Sequence, residues 1–163
     1  MVVVVRAPGW NRIRGQTAFS KSVVHFAVFV GSRQPKTWLS PLGDNRLGRL
    51  TTHVLDTASG KPGADMAVTL YRRNGERYDR IKSINTNADG RAPEPLLEGE
   101  ALVPGRYRLV FAAGAYFRRS GTALPDPPFV DEVVIDFGIA DPTAHYHVPL
   151  LVSPWSYSTY RGS

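Results

Sequence analysis

Ala144-His145-Tyr146-His147-Val148-Pro149-Leu150-Leu151-Val152-Ser153-Pro154 reads as a strand with two histidines on one face. In an extended segment side chains alternate, so His145 and His147 point one way and Tyr146 the other. The apolar residues that follow lead into a last segment, about Tyr157–Tyr160, which ties the tail Tyr160-Arg161-Gly162-Ser163 to the fold. A terminus held in this way departs from the usual frayed end. Working back along the chain, Leu50–Asp56, Ala67–Arg73, Tyr78–Asn85, Gly105–Phe111, Glu132–Ile139 and His145–Val152 are short runs rich in branched and aromatic residues. Gly, Pro, Asn and Asp turn signals separate them, with Asn74-Gly75 as a tight-turn pair. A short strand around Arg91 fits the same pattern, and the single helical candidate is Pro95–Val103. Strands at this spacing with one brief helix predict an all-β fold, an antiparallel β-sandwich of seven to eight strands.

The 163 residues suffice for one domain with a sizeable core and hardly for two. Hydrophobic residues at 42% and charged residues at 21% are ordinary for a globular protein. With no cysteine, disulfides, thiolate catalysis and zinc–thiolate sites are excluded, and the redox compartment stays open. No apolar run reaches the length of a membrane-spanning helix, so no membrane partner is expected. The net charge of +6 raises the question of nucleic acid. Its position answers it. Before Asn45 stand Arg6, Arg12, Arg14, Lys21, Arg33 and Lys36 against Asp44 alone, which leaves 14 of the 20 basic and 13 of the 14 acidic residues for the rest. The strand-forming part is nearly neutral, and no nucleic-acid partner is expected.

Three blocks beyond the tail carry a resemblance. Leu50-Thr51-Thr52-His53-Val54-Leu55-Asp56 precedes Gly60-Lys61-Pro62-Gly63; Asn85-Thr86-Asn87-Ala88-Asp89-Gly90-Arg91 follows; and Gly114-Ala115-Tyr116-Phe117 comes next, after Ala112-Ala113 where Glu-Thr is usual. Together with the terminal Tyr-Arg-Gly-Ser they resemble the 5-hydroxyisourate hydrolase family, the transthyretin-like enzymes of urate breakdown. The resemblance spans roughly Arg49 to Ser163. It implies the transthyretin topology, two sheets of about four strands, and a homotetramer, a dimer of dimers with pockets where the dimers meet. It implies a cofactor-free cyclic amide hydrolase acting on 5-hydroxyisourate; the alternative is a transthyretin-like module that binds a small molecule without catalysis.

The leader, residues 1–45, has no counterpart in the resemblance, which places the enzyme domain at 46–163. An Arg-bearing, acid-poor leader suits a transit peptide; arginines ahead of the apolar patch Val23–Val30 suit a secretory signal. The family's bacterial members begin just before Leu50, which favours upstream sequence translated from an early start codon. Arg46-Leu47 followed by His53-Val54 is a weak match to an amino-terminal peroxisomal address. A cytoplasmic location is expected, with periplasmic or peroxisomal as alternatives set by the leader.

Each candidate residue has a plain structural role to compete with. His53 shares a strand face with Thr51 and Leu55 and serves equally as a half-buried strand histidine or as a group that exchanges protons near neutrality. Arg91 follows the turn Asp89-Gly90; it is either a solvated turn residue or a planar fork that grips adjacent oxygens and stabilises an attacked carbonyl. His53, His145 and His147 invite a three-histidine zinc site, but a His-x-His pair is common in strands and no metal is expected. By resemblance His53, Arg91 and His147 are catalytic, His145 is a supporting partner, and Tyr160, Arg161, Gly162 and Ser163 line the substrate pocket.

Overall fold

The computed structural model describes residues 48–162. The leader at 1–45 and the pocket role expected of Ser163 lie outside the described residues. β1 (Arg49–Asp56) sets the pattern for the rest: Leu50, Thr52, Val54 and Asp56 are buried, and Arg49, Thr51, His53 and Leu55 take the opposite face. The chain continues through β2 (Lys61–Pro62), β3 (Ala67–Asn74), β4 (Arg77–Asn85), β5 (Leu97–Glu98), a 3-10 turn (Gly99–Ala101) and β6 (Gly105–Ala112). It ends with α1 (Ala113–Arg119), β7 (Glu132–Ile139), β8 (His145–Ser153) and β9 (Ser156–Ser158).

The strands form two sheets. One runs β2-β1-β8-β9 with β5 beside β1, the other β4-β3-β6-β7. Inward residues of each, Leu50, Val54, Val148 and Leu150 from the first and Val68, Leu70, Leu109, Phe111 and Val133 from the second, pack into one core. Fully burying a side chain of this size contributes about 1.5–3 kcal/mol each, which pins the inward set and leaves the outer faces free for other work. The sandwich is the expected one, with two-residue strands β2 and β5 raising the strand number. The β3–β4 hairpin turns through Gly75-Glu76, and Gly75 has the positive φ, +60°.

The structure corrects three details. β1 and β8 run parallel, Arg49 opposite His145 through to Asp56 opposite Val152, so the sandwich is not wholly antiparallel. Pro95–Val103 is not one helix: it holds strand β5 and only the three-residue 3-10 turn Gly99–Ala101. Leu97–Glu98 pairs with β1, and Gly99, at φ +60°, turns the chain out of any continuing helix. The helix is α1 instead. Gly114, a poor helix former, stands in it where a Cβ would lie 3.1 Å from Asp131 Cα, so glycine eases the close packing of α1 on that segment. Arg91 forms an isolated bridge to His53 rather than a strand.

Candidate active site

The parallel β1–β8 pairing builds the site. Residues 96 apart in sequence meet: Thr51 stands opposite His147, and the Thr51 hydroxyl lies 2.9 Å from His147 Nδ1. One rung away Arg49 stands opposite His145, and its Nε–H donates to His145 Nδ1 at 3.2 Å. His53 lies on the same outer face, diagonal to His147 across the pair.

A turn delivers Arg91 to this face. The Asn87 side chain accepts from the backbone N–H groups of Asp89 and Arg91, each at 3.0 Å, and Asn87 N–H donates to the Arg91 carbonyl at 2.8 Å. Gly90, at φ +74°, turns its carbonyl toward the strand, where the oxygen accepts from Val54 N–H at 2.7 Å. A Cβ at Gly90 would lie 2.3 Å from the Val54 carbonyl, so the turn approaches β1 this closely only with glycine. Arg91 thereby bridges to His53. With Arg49, Thr51, Thr52, Ala92, His145 and His147 it lines an open cavity of about 460 Å³.

The tail returns along β8. Gly162 and His147 exchange backbone hydrogen bonds, Gly162 N–H to the His147 oxygen at 2.8 Å and the reverse at 3.3 Å. A Cβ on Gly162 would come within 2.9 Å of His147 Cδ2. The backbone of the tail therefore passes close beside the imidazole, with no room for a side chain between them.

Electrostatics favour neutral rings. Burial lowers the pKa of His53, the Arg91 guanidinium lowers it further, and the Asp89 carbonyl and carboxylate pull partly the other way. His147 is lowered first by burial, then by Arg91, then by His53 and His145. Both rings are thus uncharged at neutral pH, each able to take a proton beside a permanent cation. Such a constellation suits general-base attack by water on a carbonyl whose developing charge Arg91 meets. Among the described residues no group of three or more His, Asp or Glu side chains is placed to hold a metal ion.

The structure brings together His53, Arg91, His147 and Gly162. It does not bring Tyr160 and Arg161 to the cavity that Arg91 and His147 line. The Arg161 guanidinium sits 4.7 Å over the ring of Tyr146, which faces inward, and Tyr160 and Arg161 border a separate space of about 210 Å³ with Ile135 and Phe137 of β7. Extended backbone alternates, so Gly162 on the histidine side puts Arg161 on the other. Sequence reasoning missed Thr51 and Arg49 as partners of the paired histidines. Their places two and four residues before His53 were readable; their partners were not, because the parallel register is not written locally.

Comparison with known proteins supports a family. The HIUase/Transthyretin family matches residues 50–162. A 5-hydroxyisourate hydrolase of Ralstonia nicotianae is 62% identical over 117 residues, 72% of this chain and 100% of that protein. Among solved structures, Klebsiella pneumoniae 5-hydroxyisourate hydrolase superposes with TM-score 0.57 at 36% identity, covering 71% of this chain and 100% of that one. An (S)-allantoin synthase superposes with TM-score 0.68 at 46% identity over 71% of this chain, which spans 44% of that longer protein.

Proposed function

The chain belongs to the HIUase/Transthyretin family, and from that premise we propose that it hydrolyses 5-hydroxyisourate in urate breakdown. Water adds to a carbonyl of the six-membered ring, the adjacent C–N bond breaks, and the product is 2-oxo-4-hydroxy-4-carboxy-5-ureidoimidazoline. One observation carries the mechanism: two histidines kept neutral by burial and by Arg91 stand on one sheet face with that arginine.

His147 and His53 hold the water, take its proton as it attacks, and return a proton to the leaving nitrogen. Arg91 polarises the attacked carbonyl and meets the charge that develops on its oxygen. A positioned donor of that kind is worth on the order of 10²–10³ in rate. Gly162 sets the distance between the tail and His147, while Tyr160 and Arg161 border the separate space beside β7. A module that only binds would have no use for this combination, since the charged fork and the proton-exchanging rings serve a reaction rather than apolar contact.

The cavity lies on an open outer face, and we place a second protomer across it, in a homotetramer built as a dimer of dimers with a shared channel. The enzyme domain is 46–163, the leader takes no part in catalysis, and the location is cytoplasmic. The test is spectrophotometric: 5-hydroxyisourate is generated with urate oxidase, and its decay is followed with and without the purified protein. Acceleration that survives exhaustive chelation is the expected result. No acceleration refutes the activity, and a loss restored only by zinc replaces the histidine base with metal-activated water.

A further inference from the structure

We propose that Thr51 is the positioning residue of His147: its hydroxyl accepts the ring Nδ1–H and donates to the Tyr146 carbonyl, leaving the Nε2 lone pair to face the cavity as the base. The kinetic part rests on the function proposed above; the assignment of the ring proton stands by itself.

A hydroxyl has one proton to give and two lone pairs. Thr51 Oγ1 lies 2.9 Å from His147 Nδ1 and 3.5 Å from the Tyr146 carbonyl oxygen. Two arrangements satisfy the shorter contact. If Thr51 donated to Nδ1, the neutral ring would carry its proton on Nε2 and offer the cavity no lone pair. If Thr51 accepts from Nδ1, its own proton goes to the carbonyl and all three groups are served. The second arrangement also fits the ring once it has taken a proton from water. An imidazolium donates from both nitrogens, and the Nδ1 acceptor is then already in place, so nothing reorients as charge develops.

The tail fixes which edge of the ring is free. Thr51 holds Nδ1 on one side of Cγ, and the Gly162 backbone passes Cδ2 on the other, close enough that an added Cβ would be 2.9 Å away. The Nε2–Cε1 edge is touched by neither and is the one assigned to water. The neighbouring histidine shows the converse. Arginine has no acceptor, so the Arg49 Nε contact at 3.2 Å obliges His145 Nδ1 to accept, and a neutral His145 carries its proton on Nε2. One His-x-His pair thus presents a base at His147 and a donor at His145, chosen by a threonine and an arginine on the adjacent strand.

The test uses the full chain labelled with ¹⁵N-histidine and long-range ¹H–¹⁵N correlation at pH 8, with the rings assigned through His→Asn variants. The expected spectrum shows a protonated Nδ1 and bare Nε2 for His147, and the reverse for His145. Thr51→Val, which keeps the shape and removes the hydroxyl, moves the His147 proton to Nε2 and lowers kcat about 10–100-fold with KM changed less than about twofold; Thr51→Ser restores both. A bare Nδ1 at His147 in the unaltered protein overturns the proposal. So does a folded Thr51→Val protein with normal kcat. Should Thr51→Val fail to fold, the unaltered spectrum and the serine variant still decide. If the unaltered protein does not turn over hydroxyisourate, the function falls while the ring protons still judge Thr51.

Discussion

Gly162→Ala adds a single methyl group, and the structure says where it goes. The new Cβ would stand 2.9 Å from His147 Cδ2, 3.0 Å from its Cβ and 3.3 Å from Cγ. Carbon atoms rest at about 3.5–4.0 Å, so the tail or the ring must yield by roughly 0.6–1 Å. The backbone of Gly162 is not in the left-handed region, so alanine brings no φ penalty and the effect is steric alone. His147 cannot retreat freely, because Thr51 holds its Nδ1 and β8 fixes its backbone. A displacement of about 1 Å in a catalytic group costs on the order of 10²-fold, or about 2.7 kcal/mol of transition-state stabilisation. We therefore expect kcat/KM for hydroxyisourate to fall roughly 30–100-fold. The thermal midpoint should hardly move, since the residues that carry the core, from Leu50 to Val152, are untouched. The decay assay measures the first and differential scanning calorimetry the second. Near-normal turnover in a protein of unaltered assembly would refute the claim that the tail sets the position of His147. A large loss of stability would instead make the tail a structural strap.

Removal of the base separates the paired histidines: His147→Asn should abolish most turnover, and His145→Asn should do milder damage, with folding by circular dichroism retained in both. For pH, the lowered His53 and His147 pKa values predict kcat/KM that is level from pH 8 to about 6.5 and falls only on the acid side, where the rings take up protons. The same two rings affect stability. Their folded pKa lies below the unfolded value of 6.5, so between the two the unfolded chain binds more protons; the stability contribution is full above pH 6.5 and lost as pH falls through the folded values. Thermal midpoints between pH 5 and 8 should show that slope, and His53→Asn should flatten it. A chain beginning at Arg46 should fold and turn over substrate like the full chain; loss of assembly on sedimentation would give the leader a structural role.

The sandwich was legible because period-two burial repeats along β1, β3, β6 and β8, and a strand with one buried face announces itself. The helix was not. Leu96, Leu97, Glu98, Glu100, Ala101 and Leu102 have good helix propensity, yet Leu97 pairs with Leu50 and Gly99 takes a positive φ, so tertiary pairing overrode local preference. α1 begins at Ala113, and the preceding Ala112 at its N-cap makes no side-chain cap, so no start signal marked it. His53, Arg91 and His147 were legible from their blocks. Their convergence and the roles of Thr51 and Arg49 were not, since each depends on a register between strands almost a hundred residues apart.

That long-range register makes catalysis a reporter of folding. The Thr51–His147 contact closes a loop of 96 residues, and pairings of this kind form late because chain entropy opposes them until the rest of the structure supports them. A slip of one residue in β8 would turn His145 and His147 into the core and bring Tyr146 out. No partly assembled chain, and no chain in the wrong register, has the constellation. Recovery of turnover during refolding therefore tracks the last cooperative step, and a lag between the return of far-ultraviolet signal and the return of activity measures how long β1 waits for β8.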